Sequence, residues 1–159
     1  MLEDPWLAPP EDAFEWTADP GSAGGTHEVV VGFQAGVPAV VDGQAAGLAE
    51  VVAGLNRLGG EVGFGRVDMI ENRRVGIKSR EVYEVPGALA VIAAHRDLED
   101  LTLDRDVLHE KAHLDIRYAE LVYDGLWFSP LKAALDAFVA ETQQAVTGEV
   151  RLQLSPGRC

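Results

Sequence analysis

At 159 residues the chain is long enough for one domain with a core of its own and too short for two ordinary ones. Lys and Arg total 13 against 26 Asp and Glu, a formal charge of −13 that repels a phosphate backbone and excludes nucleic acid as an expected partner. No run approaches the roughly 18 apolar residues of a membrane helix, the first residues lack a secretion-signal pattern, and a lone cysteine, Cys159, forbids an internal disulfide, so a cytoplasmic protein with no membrane partner is expected.

Residues 1–25 are rich in Pro, Gly and acidic residues without a sustained period and read as an extended linker or lead, leaving 26–159 as the folded unit. Trp6, Phe14 and Trp16 complicate this, since large aromatics pack on something, in this chain or another. From His27 the pattern alternates, with Val29, Val31 and Phe33 on one face and Glu28, Val30 and Gln34 on the other. Ala35-Gly36 and a second apolar run to Val41 follow, predicting a hairpin closed by an Asp42-Gly43 turn. Leu48, Val51, Val52, Leu55 and Leu58 recur at helical spacing and stop at Gly59-Gly60, so a helix should lie on the sheet. Val67, Met69 and Glu71 alternate with Asp68 and Ile70 in a strand ending near Glu71, which delivers that carboxylate to an edge or cleft.

Pro86 opens a helix towards Leu98, and Thr102 is the expected cap of the next, whose apolar stripe is Val107, Leu114, Tyr118, Leu121 and Val122. Ser129-Pro130 caps and opens a further helix with Leu131, Leu135, Phe138, Val139 and Val146 on one face and Gly148 just past its end. A last strand over 149–154 needs a pairing partner that its sequence neighbours do not provide. This order predicts an α+β fold, a mixed or antiparallel sheet packed against about four helices.

His109-Glu110-Lys111-Ala112-His113 has the form of a zinc-peptidase helix. With Val107 as origin and about 100° per residue, the apolar stripe stays within about 60° of it, whereas the two histidines fall at roughly 200° and 240°, towards water. Glu120 shares their face but lies roughly 16 Å from His109 along the helix, beyond the reach of one metal, and the third His of the longer metalloprotease pattern is absent. A solvated helix face is expected, with no metal. Gly21–Thr26 precedes a strand and has no Lys, so it reads as a linker and not a phosphate loop; Gly63-Phe64-Gly65 lacks the third Gly of a dinucleotide fingerprint. Cys159 has no base beside it in sequence and reads as an ordinary thiol.

Residues 71–84 differ: Arg73, Arg74, Lys78 and Arg80 are 4 of the 13 basic residues of an acidic chain. They can hold an anion, with Glu71 and Tyr83 offering a carboxylate for an ammonium and a hydroxyl that donates or accepts. The alternative, which chemistry alone favours, is a surface loop whose cations pair with Glu71, Glu81 and Glu84.

In order along the chain stand LEDPW (Leu2–Trp6) with Pro9-Pro10, GVP (Gly36–Pro38), LNRLGG (Leu55–Gly60), GFGRVDMIENR (Gly63–Arg73), VGIKSREVYEVPG (Val75–Gly87), AHRDLEDLTLDRDV (Ala94–Val107), YAELVYDGLWFSP (Tyr118–Pro130) and VTGEVRLQL (Val146–Leu154). These blocks resemble the C-terminal, synthetase half of argininosuccinate synthase. The resemblance implies a ligase that adenylylates the ureido oxygen of citrulline with ATP and Mg2+, after which the aspartate amine displaces AMP to give argininosuccinate. It implies citrulline contacts at Glu71 and Tyr83, and the carboxylate suits the α-ammonium group. No catalytic or cofactor-binding residue is carried over. Where the family commonly has Gly, Thr and Gly, this chain has Glu81, Val85 and Ala88, and a positive φ at the first would strain Glu81. The family's ATP loop, S-G-G-x-D-T-S, does not occur here, nor does its long C-terminal helix. The resemblance therefore implies part of an enzyme, inactive alone, whose partners are a nucleotide-binding half or other subunits of a homo-oligomer. The alternative expectation is a non-catalytic remnant or a subunit-assembly module.

Overall fold

Val29, Val31 and Phe33 are buried together on one face of strand β1 (His27–Gln34), as their alternation requires. The computed structural model describes residues 2–159, so Met1 of the expected lead lies outside the described residues. After β1 come β2 (Val37–Val41), β3 (Gln44–Ala45), α1 (Leu48–Glu61), β4 (Arg66–Asn72), β5 (Lys78–Glu84), α2 (Pro86–Thr102), α3 (Arg105–Tyr123), α4 (Pro130–Gln143) and β6 (Gly148–Leu154). The strands form a sheet of order β3-β2-β1-β6 and a separate β4–β5 ribbon, with every pairing antiparallel. The architecture is α+β, as expected.

The core lies between the four-stranded sheet and two helices. Leu152 and Leu154 of β6 join the buried face of β1, Val51 and Leu55 of α1 cover it, and Ala90, Ala94 and Leu98 of α2 complete it. Small residues at 90 and 94 let that helix approach closely. The strand expected over 149–154 finds its partner in β1, with Val29 opposite Leu152 and Val31 opposite Val150.

Several local expectations are corrected. The hairpin turns at Ala35-Gly36, both at positive φ (48° and 76°), as a two-residue turn between twisted strands requires; Asp42-Gly43 (48° and 78°) makes the next turn, into β3. Gly59-Gly60 does not end α1 but lies within its last turn, where a Cβ at 60 would run into the Trp16 carbonyl and one at 59 into the Pro86 ring. These glycines serve close packing. Thr102 ends α2, its hydroxyl donating to the Leu98 carbonyl (2.7 Å), and Asp104 caps α3 by accepting from the N–H groups of Asp106 and Val107. Within the α3 stripe Leu121 is buried and Val122 is exposed, while Lys111 is buried on that face. On α4 Leu131 is exposed and Lys132 and Leu135 are buried; Val146 lies beyond the helix, in the core, and Gly148 opens β6. Strand β5 occupies residues expected to be a loop.

The lead is pinned to the ribbon. Arg66 stacks on the Phe14 ring at 3.7 Å and bonds Glu11 and Thr17, and the Ala18 N–H donates to the Gly60 carbonyl (2.8 Å). Phe14 thus packs within the chain, whereas Trp6 is 93% exposed and Trp16 63% exposed.

Candidate substrate-holding site on the two-stranded ribbon

The register of the ribbon sets Val67 opposite Tyr83, Met69 opposite Glu81 and Glu71 opposite Ser79. These six side chains therefore share one face. The other face, with Arg66, Arg80 and Glu84, is bonded to the lead.

On the free face Tyr83 donates its hydroxyl to Glu71 Oε2 (3.1 Å). Tyr123, at the end of α3, donates its own to Glu71 Oε1 (2.7 Å). The hydrogen bond to Glu71, then desolvation and the carboxylate charge, push both phenols above their ordinary value, so they remain protonated donors at neutral pH. Each carboxylate oxygen keeps a further lone pair for an incoming donor. Tyr83 and Tyr123 are 42% and 55% exposed, so the group presents one open wall.

The cations around it are committed to acceptors. Arg73 pairs with Glu81 (2.5 Å) and donates to Ser79 Oγ (2.8 Å); Arg74 pairs with Asp124 (2.8 Å). Arg80 pairs with Asp68 (2.6 Å) and donates to the carbonyls of Asp4 and Leu7, and Lys78 donates to Asn72. This arrangement disfavours the anion-holding reading of the cluster. The paired-loop reading fits better but with different partners: of its three carboxylates only Glu81 takes a cation from this cluster, while Glu71 takes the tyrosines and Glu84 takes the lead. The face offers a hydrogen-bonded carboxylate, suited to a cation such as an ammonium.

Sequence reasoning singled out Glu71 and Tyr83, and the ribbon brings them together; it missed Tyr123 and Asp124. The available signal was an aromatic at roughly 160° from Val107, off the buried stripe at a helix end. Glu81 sits in extended β5, and among the described residues positive φ outside glycine occurs at Ala35 and Asp42, so the conditional strain at Glu81 does not arise.

The other candidates stand apart. His109 and His113 are both exposed on α3. Gly21–Thr26 runs into β1 and opens no helix. Gly65, at φ 107°, packs its backbone against Pro86, so this segment is a packed turn. Cys159 is a free thiol, which desolvation and the Asp97 carboxylate push above its ordinary value and so away from the thiolate.

Residues 1–159 match the family described as arginosuccinate synthase C-terminal domain. The argininosuccinate synthase of Rubrobacter xylanophilus is 57% identical over 157 residues, 98% of this chain and 38% of that protein. Those of Geobacillus kaustophilus and Bacillus thuringiensis are each 54% identical over 158 residues, 99% of this chain and 39% of theirs. The chain thus spans about two fifths of the length of these curated relatives and belongs to the argininosuccinate synthase family, of which it represents the C-terminal domain portion.

Proposed function

We propose that this chain forms one wall of the citrulline pocket of an argininosuccinate synthase, with Glu71 taking the α-ammonium group and Tyr83 standing beside it. One observation carries this: a solvent-facing carboxylate held at both oxygens by hydroxyls, on the ribbon face that the lead leaves free. An ammonium in contact with it gains charge-assisted hydrogen bonds without displacing another cation.

In this reading the chain binds and orients the amino acid, while ATP, Mg2+ and aspartate belong to a nucleotide-binding half. The glycine segments here do not fit phosphate: one precedes a strand, and the other is closed by Pro86. No step of adenylyl transfer is assigned to these residues. The test mixes the chain with such a half and titrates citrulline calorimetrically. Glu71→Gln should weaken citrulline at least about tenfold, the scale of a lost hydrogen bond to a charged group; an unchanged affinity overturns the assignment. The chain by itself should release no AMP from ATP, citrulline and aspartate.

A second reading, a non-catalytic remnant or assembly module, is favoured by β6, whose outer edge is unpaired among the described residues, and by Phe128, 96% exposed. Open edges and apolar patches invite a second subunit. It requires a defined oligomer in sedimentation without substrate, together with no citrulline binding in the mixture.

A further inference from the structure

We propose that Tyr123 is a positioning residue for substrate binding, fixing Glu71 from a different element of the fold so that its carboxylate is already oriented when an α-ammonium arrives. This rests on the reading of Glu71 given above.

Among the described residues the β4–β5 ribbon pairs with no other strand, and Glu71 lies one residue from the end of β4. A glutamate there has freely turning side-chain bonds, and ordering it on binding costs affinity. Tyr83 restrains one oxygen, but it rides on the same ribbon. Tyr123 is 52 residues away in sequence and comes from α3, so its bond to the second oxygen references the carboxylate to an independent body.

The end of α3 is itself fixed. Gly125 takes a positive φ (71°), its N–H donates to the Val122 carbonyl (3.1 Å), and the Leu126 N–H donates to the Leu121 carbonyl (2.8 Å). This is a glycine-terminated helix stop, which holds Tyr123 in a defined last turn. The next residue, Asp124, pairs with Arg74 at the ribbon turn (2.8 Å). Two adjacent links, 123 to 71 and 124 to 74, therefore tie the ribbon tip to the helix end. With one hydroxyl per oxygen, the remaining lone pairs face the open side, where a cation with several donors is accommodated.

Two measurements test this. The first uses the 159-residue chain with ring-labelled tyrosine in an NMR pH titration: the Tyr123 hydroxyl should titrate above an ordinary phenol, and in Glu71→Gln it should move down towards the ordinary range; no movement overturns the link between the two side chains. The second uses the mixture with the nucleotide-binding half. Tyr123→Phe should raise KM for citrulline about 3- to 30-fold, with kcat and the KM values for ATP and aspartate unchanged and with the melting temperature retained. Tyr123→Phe added to Glu71→Gln should give no further loss. Asp124→Asn, which loosens the neighbouring link, should produce a smaller change in the same direction. If Glu71→Gln weakens citrulline and Tyr123→Phe does not, the positioning role is wrong and the pocket reading survives. If neither variant matters, both fail. A Tyr123→Phe effect spread equally over all three substrates, or tracking a lowered melting temperature, makes the residue merely structural and overturns the proposal.

Discussion

Glu84 accepts both the main-chain N–H (2.7 Å) and the hydroxyl (2.6 Å) of Thr17, 67 residues away in sequence. The same carboxylate takes the N–H groups of Glu15 (2.8 Å) and Trp16 (2.9 Å), so one side chain satisfies three main-chain donors, besides the Thr17 hydroxyl, of a segment that has no sheet or helix to do so. Desolvation pushes the Glu84 carboxyl up, but the Thr17 hydroxyl and the three N–H groups together outweigh it and hold the group below its ordinary value of 4.5. The folded state therefore binds this proton less readily than the unfolded one. Its stabilisation is full above about pH 4.5 and fades as pH falls through the depressed folded value. Glu84→Gln should lower stability by about 1–2 kcal/mol at pH 7, since the partly exposed site discounts the full strength of charged hydrogen bonds. Urea denaturation at neutral pH and near pH 3.5 should show the difference from wild type shrinking in acid. A pH-independent difference would remove the charge from the explanation.

Two glycines of α1 should respond oppositely to alanine. Nothing lies within 4 Å of a Cβ at Gly54, so Gly54→Ala gains helix propensity and should stabilise by about 0.5–1 kcal/mol. A Cβ at Gly60 meets the Trp16 carbonyl, and the Gly60 carbonyl also receives the Ala18 N–H (2.8 Å). Relief requires moving backbone, so Gly60→Ala should cost about 2 kcal/mol or more and free the lead. Thermal melts of both variants and limited proteolysis around residue 17 would check this; equal effects would contradict it.

What the sequence made legible follows from where its periods were clean. β1 sets Val29, Val31 and Phe33 at alternate positions, α1 carries apolar residues at helical spacing and Pro86 opens α2, so each was foreseen. β5 reads Lys-Ser-Arg-Glu-Val-Tyr-Glu, polar on both faces because one meets the lead and the other meets solvent, and no buried stripe marks it. Lys111 was invisible for a related reason: its charge argues for water, yet its stripe position at about 40° from Val107 buries it against Glu99. Glu71 and Tyr83 were singled out through chemistry and resemblance. Tyr123 was not, since contact between residues 52 apart is a tertiary fact.

The histidines of 109–113 should prove indifferent. Both are exposed on α3. His109→Ala and His113→Ala should each change stability by less than about 0.5 kcal/mol, the range for surface substitutions away from special contacts. Treatment with a chelator should leave the melting temperature where it was, and a drop would establish a metal that this geometry does not anticipate.

The connection of α2, α3 and α4 depends on charge, which makes it sensitive to loss of one partner. Glu99 is 8% exposed, receives Gln143 Nε2 (2.5 Å) and faces Lys111 Nζ at 3.2 Å, while His95 Nε2 meets Gln143 Oε1 (2.7 Å). Lys111 is equally buried and reaches Asp115 at 2.7 Å as well. Removing the ammonium leaves the Glu99 carboxylate in a poorly solvated place with the Gln143 amide for support. Lys111→Met, which keeps the aliphatic stem, should therefore cost about 2–4 kcal/mol. Glu99→Gln alone should cost less, and combined with Lys111→Met it should recover about half of the loss, because a neutral amide suffers less from the missing cation. Urea titrations of the two single variants and the double variant give the comparison. Strict additivity would mean that the two side chains do not share an interaction, and that α3 is held to α2 by its apolar contacts instead.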